Sequence, residues 1–325
     1  MTKIGLFLAR RLVKAAIILF FIVLINFALI RAAPGDPAAV MAGEAGASDE
    51  QYVEVLRQRF GLDEPLHTQM YLYVTAVFQG DLGFSYRQGQ HVSDLILDRL
   101  PATLLLTVTA FLFALAMGVL LGTLAAMKVG RWADTAITTL ALVSYATPLF
   151  WLGLMLILLF SVQLGWLPSF GFESVGRGYT GLERMVDIAR HMVLPVLTLG
   201  LFYMAVYTRL TRSSILEVHD MDFVKTARAK GVTEGNVMVF HVLRNAILPV
   251  ITFAGFQAGH LIGGSILVET VFAWPGIGRL AFNALLQRDY QVLLGVFVVT
   301  SVLVLVFNII TDLIYTIVDP RIEVD

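Results

Sequence analysis

The sequence contains no cysteine. That excludes disulfides, thiolate nucleophiles and cysteine metal sites, and it leaves the redox compartment open. Charge is also scarce. Only 14% of the 325 residues are Asp, Glu, Lys or Arg, against about 25% in a soluble domain. The net charge is −1, so no bulk positive field points to nucleic acid. No Gly-x-x-x-x-Gly-Lys-[Ser/Thr] occurs, so the backbone cradle of a P-loop is missing. His-Glu-x-x-His and Gly-x-Ser-x-Gly are missing too. His67, His91, His191, His219, His241 and His260 lie scattered. No catalytic set and no metal site are visible in this pattern.

What the chain has instead is apolar length. Hydrophobic residues make up 58%, and they gather in uncharged runs of about 20 residues, enough to cross a bilayer core. The runs place spans at roughly 9–30, 102–127, 136–162, 192–210, 247–269 and 291–318. Each must be helical, because lipid offers no partner for free backbone amides. Lys3, Arg10, Arg11 and Lys14 precede the first run, and Arg31-Ala32-Ala33 follows it. A cleaved signal peptide would share that layout. The run Ala15–Ile30 is at or past the length of a signal core, which favours a retained first span.

Basic residues set the orientation. With the N-terminus in the cytoplasm, the inside carries Lys3, Arg10, Arg11, Lys14, Lys128, Arg131, Arg209, Arg212, Lys225, Arg228, Lys230, Arg244 and Arg321. The short outside loops hold only Arg177, Arg184, Arg190, Arg279 and Arg288. The expected fold is therefore an all-α integral membrane protein of six transmembrane helices, both termini cytoplasmic, with an extended outer segment after the first helix. Its parts are residues 1–30 (first helix), 31–101 (extracytoplasmic segment) and 102–325 (a five-helix core with an inside loop at 211–246).

The outer segment begins with a Pro34-Gly35-Asp36-Pro37 turn. Tyr52, Val53, Leu56 and Phe60 then recur at helical spacing. Two readings stand for it, a cap on the membrane face or a docking surface for an external partner. A surface helix is expected at Tyr179–Ala189. Val271 to Gly278 is apolar yet broken by Pro275, Gly276 and Gly278, the composition of a re-entrant turn covered by protein. Gly255, Gly259 and Gly263 recur every fourth residue, a stripe suited to close helix contact or to a pore wall. Asp312 in the last span, with Asn308 and Tyr315 about a turn away, reads as a tie to the inside loop or a pathway group. His260 in the fifth span offers the same choice between structure and pathway.

The inside segment Thr211–Asn245 is far longer than a link between antiparallel helices requires. Its charges and apolar residues, divided at Gly231 and Gly235, predict two short helices joined by a glycine turn. Such a piece either lies on lipid as an interfacial helix or fills a socket on a soluble partner.

Asp222-Phe223-Val224-Lys225-Thr226-Ala227-Arg228-Ala229-Lys230-Gly231, followed by His241-Val242-Leu243-Arg244-Asn245-Ala246-Ile247-Leu248-Pro249, resembles the EAA loop of ABC-importer permeases. More narrowly it is similar to the dipeptide/oligopeptide/nickel branch. Matching stretches run along nearly the whole chain: Pro34-Gly35-Asp36-Pro37, Phe60-Gly61-Leu62-Asp63, Gly80-Asp81-Leu82-Gly83, Arg99-Leu100-Pro101-Ala102-Thr103, Val268-Glu269-Thr270-Val271-Phe272, Trp274-Pro275-Gly276-Ile277-Gly278 and Asp319-Pro320-Arg321. Where the general family has Glu-Ala-Ala, this chain has Thr226-Ala227-Arg228, as that branch does.

The resemblance implies a bacterial inner-membrane subunit that forms half of a translocation pathway. Its partners would be a homologous second permease, two ATPase subunits, an extracytoplasmic solute-binding protein and membrane lipid. ATP and Mg would be bound by the ATPases, and this chain would hold no cofactor and no metal. Asp222, Phe223, Thr226, Ala227, Arg228, Ala229, Lys230 and Gly231 would form the coupling helix. His260, Glu269, Thr270, Phe272 and Trp274 would be pathway or outer-gate candidates. Peptides are the expected cargo, with nickel, glutathione or oligosaccharide as alternatives. An ion-coupled carrier working alone is a rival reading, and it needs polar groups near the midplane. A membrane enzyme is a weaker rival, because no catalytic set is visible.

Overall fold

The computed structural model describes residues 3–32, 37–44, 50–59 and 63–318. In chain order the helices are α1 (Lys3–Ala32), α2 (Pro37–Glu44), α3 (Glu50–Arg59), α4 (Leu66–Phe78), α5 (Val92–Met127), α6 (Trp132–Ala146), α7 (Leu149–Leu156), α8 (Gly181–His219), α9 (Asp222–Ala229), α10 (Glu234–Asn236), α11 (Arg244–Val271), α12 (Ile277–Gln287) and α13 (Tyr290–Val318). Wider π-type turns continue α7 through Ile157–Gln163 and join α10 to α11 through Val237–Leu243. A two-strand hairpin, β1 (Phe84–Ser85) and β2 (Gln90–His91), precedes α5.

Among the described residues, five helices are long and apolar enough to cross a membrane, and α6 with α7 and its extension makes a sixth span if the bent pair is one crossing. The sequence predicts one span at 136–162, and the pair that covers it bends by 108°. Pro148 lacks an amide hydrogen and pushes the residue before it out of helical geometry. Thr147 accordingly sits at ψ 129°. A second difference concerns α8. A separate surface helix is expected before the fourth span, yet one unbroken helix of 39 residues runs from Gly181 to His219. Nothing between Ala189 and Met192 breaks a helix. At about 1.5 Å per residue such a helix is ~58 Å long, well beyond a hydrocarbon core of about 30 Å.

The chain forms two compact units. One contains the described residues up to Pro101 together with Gly276–Val306. In it, Ser85 is fully buried, and its hydroxyl donates to Asp289 Oδ2 at 2.5 Å. Asp289 Oδ1 accepts the Val292 amide at 3.2 Å, which caps the start of α13. Gly295 lets α13 approach α5, since a Cβ there would collide with Val92. The outward residues of α1, among them Leu12, Val13, Phe21 and Ile25, are exposed, as suits a lipid-facing helix.

The other unit contains Ala102–Pro275 and the described residues from Phe307 onward. Its centre is α8, which packs on α6, α7 and α11. Leu106, Leu199, Tyr203, Tyr207, Phe272 and Trp274 belong to one buried cluster. Gly118 and Gly122, four apart, allow α5 to meet α8. A Cβ on Gly122 would stand 2.6 Å from the Thr208 carbonyl oxygen, and one on Gly118 would strike Tyr207. This small-xxx-small contact is a common way for membrane helices to pack closely. The sequence marks a second stripe of the same spacing, Gly255, Gly259 and Gly263, suited to close helix contact or to a pore wall. Gly263 faces open space, and the Gly255 carbonyl accepts a bond from Thr311 Oγ1 at 3.1 Å.

Candidate functional site

The loop after α8 is shorter and firmer than its sequence predicts. In place of two short helices there is one, α9. The second half, from Glu234, rises directly into α11 through the π-type turns. Pro249, at the start of the span expected at 247–269, therefore lies inside a continuous helix.

Helix α9 starts after extended Met221 (ψ 151°). Asp222 in the first turn complements the positive helix end. Lys225 Nζ donates to Asp222 Oδ1 at 2.9 Å and Thr226 Oγ1 to the Asp222 carbonyl at 2.9 Å. Lys225 holds the Asp222 carboxyl below its usual range, chiefly through that hydrogen bond. The helix stops at Gly231, whose φ of 81° is left-handed. The Gly231 amide donates to the Arg228 carbonyl and the Val232 amide to the Ala227 carbonyl, the two bonds of a glycine C-cap.

Three residues apart, Val224 and Ala227 are buried against Ala126, Ile215, Val218, Val237, Met238, Val242 and Ala246. Arg228 closes the clamp. Its Nε and Nη2 donate to the two Glu234 oxygens at 3.1 and 2.7 Å, and Nη2 lies 2.6 Å from His219 Nε2. An arginine can only donate, so that histidine nitrogen accepts. Glu234 raises the Arg228 pKa above its ordinary value. Asp222, Phe223, Lys225, Thr226, Ala229 and Lys230 stay exposed. A groove of about 340 Å³ lies beside them, lined by Phe223, Thr226, Ala227, Lys230, Val232 and His241. One face of α9 is thus tied to the ends of both α8 and α11, and the opposite face is free.

The outer-gate candidates form a different arrangement. Glu269 is fully buried and accepts hydrogen bonds from Thr103 Oγ1 at 2.8 Å and Ser265 Oγ at 3.1 Å. Trp274, fully buried as well, donates its indole N–H to the Ala102 carbonyl at 2.8 Å and packs edge-on against Phe172. Phe272 is buried, and its carbonyl accepts the Gly171 amide. Ala273, at φ 50°, turns the chain between them, and the Trp274 amide returns to the Glu269 carbonyl at 2.8 Å. Thr270 is half-buried, with its hydroxyl bonded to the Ile266 carbonyl. Four of these five candidates thus lie in one short stretch. The backbone of His260 is in α11; its side chain and that of Asp312 lie outside the described residues. So do residues 34–36 of the expected Pro34–Pro37 turn, and 60–62 and 319–321 of the matching stretches.

The chain matches two family models, "Binding-protein-dependent transport system inner membrane component" over residues 118–324 and the N-terminal component of the same systems over residues 4–107. It belongs to this permease family. The di/tripeptide transport system permease protein DppB of Pseudomonas aeruginosa (strain UCBPP-PA14) is 41% identical over 331 residues, covering 98% of each chain. The dipeptide transport system permease protein DppB of Escherichia coli (strain K12) is 40% identical over 334 residues, with the same coverage. The oligopeptide transport system permease protein AppB of Bacillus subtilis (strain 168) is 41% identical over 320 residues, covering 98% of this chain and 99% of that one. Among solved structures, an inward-facing MetNI methionine ABC transporter aligns at TM-score 0.55 and 18% identity, over 69% of this chain and 96% of that one. That likeness is one of fold. As a member of the family, the chain is a multi-pass permease component of bacterial ABC importers, which work with other subunits.

Sequence reasoning missed two features of this permease. Asp134, buried at the start of α6, takes a two-pronged ion pair from Arg212 at 2.7 and 2.8 Å and also the Gly130 amide. The pair spans 78 positions, so no local spacing advertises it. A charge at the edge of an apolar run was its only signal. The partners of Glu269 and Trp274, Thr103 and Ala102, sit 166 and 172 positions away. In sequence, Ala102 and Thr103 stand out only as part of the matching stretch Arg99–Thr103.

Proposed function

We propose that this chain is one of two homologous permeases that form the pathway of an ATP-driven importer for di- or oligopeptides. Both termini and α9 lie in the cytoplasm, and the segment between α1 and α5 lies outside. A solute-binding protein docks there and releases peptide into the pathway. Two ATPase subunits bind ATP and Mg and grip the free face of α9. The observation that carries this reading is the clamp on α9. A short helix fastened by Val224, Ala227 and Arg228 to the ends of two spanning helices transmits a push as a rigid body. Peptide cargo rests on the relatives of about 40% identity over nearly the whole chain.

The test is uptake of labelled peptide into proteoliposomes with subunits omitted one at a time. Uptake should require ATP, both permeases, the ATPases and the binding protein. Uptake by this chain alone, driven by an ion gradient, would overturn the assignment.

A further inference from the structure

A cleft of about 350 Å³ in the first unit has no place in the function described so far. It is lined by Arg87, Gln88, Arg99, Leu280, Asn283 and Gln287. Five of these six side chains are polar or charged. Two are arginines, and neither forms an ion pair among the described residues.

Three separate segments build the cleft. Arg87 and Gln88 lie in the turn between β1 and β2. That turn is held from beneath by Ser85. Its hydroxyl bonds buried Asp289 and accepts the Gln88 amide at 3.0 Å, and its carbonyl accepts the Gly89 amide at 2.8 Å. Arg99 comes from the first turns of α5. Asn283 and Gln287 stand four apart on α12 and so share a face. The adjacent face of α12 is fixed by buried Ile277, Ala281 and Ala284, and buried Leu280 forms the apolar floor.

Like charges repel, so two guanidiniums beside one cleft cost energy unless an anion joins them. The surrounding amides can donate and accept. Guanidinium pairs planar carboxylates in two-pronged fashion. We propose that this cleft is a carboxylate-binding site, and that its occupant is an aspartate or glutamate side chain presented by the solute-binding protein. The proposal rests on the importer reading and on the topology given with it, which puts all three segments outside. Arg87 is exposed, and the cleft opens to solvent. A free peptide carboxylate would there meet full competition from water. A side chain carried by a docked protein has the rest of an interface to support it, and complementary charge speeds and orients docking.

The experiment uses the assembled importer in lipid nanodiscs. Binding-protein affinity is measured across a salt series for the wild type, for Arg87→Gln with Arg99→Gln, and for Arg87→Lys with Arg99→Lys. The glutamine pair should weaken docking at least tenfold at low salt and flatten its salt dependence. The lysine pair should keep the salt dependence and lose less affinity. Elution of each complex at the wild-type position shows that it is intact. Docking and salt slope within twofold of wild type for the glutamine pair would overturn the proposal. So would unchanged docking with a raised peptide KM at saturating binding protein, which would assign the cleft to solute. If even the wild-type complex fails to bind any binding protein, the importer reading fails first, apart from the cleft.

Discussion

The turn after α11 and the short helix α9 are both rich in the residues that the family resemblance marks as functional, yet they are built in opposite ways. At the turn, every polar group shown has its partner inside the fold. Glu269 takes two hydroxyls, Trp274 donates to Ala102, and the rings of Phe272 and Trp274 are covered. On α9 the ties to other helices use one face only, and the charged and apolar residues of the other face remain exposed. A buried, saturated knot holds a shape. A clamped helix with a free face is equipped to be held by something else. Glu269, Phe272 and Trp274 thus tie the C-terminal end of α11 to Ala102 and Thr103 of α5 and to Gly171.

That contrast breaks most visibly at Trp274. Trp274→Ala empties a fully enclosed indole site and strips the Ala102 carbonyl of its donor. The expected loss is about 3–5 kcal/mol, typical of a large buried aromatic. Thermal unfolding of the purified complex in detergent should show a clear fall in midpoint, and Trp274→Phe a smaller one. A normal midpoint with lost stimulation by the binding protein would instead make the indole a docking group. Next in size is Glu269→Ala, which removes the acceptor of two buried hydroxyls at about 1–3 kcal/mol. The same melt should register it, and Glu269→Gln should recover part of the loss.

How much of this was legible follows from how local each cause is. The spans and the short helix α9 could be read, because apolar length and the run Asp222–Gly231 are contiguous in sequence. Gly231 was read as a turn, and its φ of 81° agrees. The bend at Thr147-Pro148 had a local cause in Pro148, but the surrounding apolar run masked it. The Asp134–Arg212 pair and the partners of Glu269 and Trp274 could not be read, since each joins positions 78 to 172 apart. The glycine contact between α5 and α8 went unread for a related reason. Gly118 and Gly122 show the same four-residue spacing as the stripe in α11, and spacing alone does not say which glycines have a neighbour.

On α9 the expected pattern reverses, with small losses of stability and large losses of function. Gly231→Ala meets no atom within 4 Å, so its cost is the left-handed backbone alone, about 1–2 kcal/mol. Arg228→Glu sets a carboxylate against Glu234 and removes the bond to His219, at positions partly open to water. Both variants should assemble normally and keep hydrolysing ATP. Peptide uptake per ATP should drop at least tenfold, read by parallel uptake and phosphate-release assays on proteoliposomes. Coupled uptake at the wild-type ratio in both variants would remove α9 from the transmission path.

The smallest effect is expected at Gly263. Its surroundings are open, and its φ lies outside the left-handed region. Gly263→Ala therefore adds a methyl group without a clash, and it replaces a poor helix former by the best one, a gain of up to about 1 kcal/mol in an exposed helix. The purified chain should melt at the same temperature or slightly higher. Gly122→Ala is the matched control, because its new methyl would press on the Thr208 carbonyl and force α5 away from α8. The informative measurement for Gly263→Ala is the yield of the complex with the second permease. An unchanged yield leaves this face to lipid or to the pathway. A reduced yield, with the chain itself still stable, would place the second permease against α11 and give this face of the stripe a close-contact role.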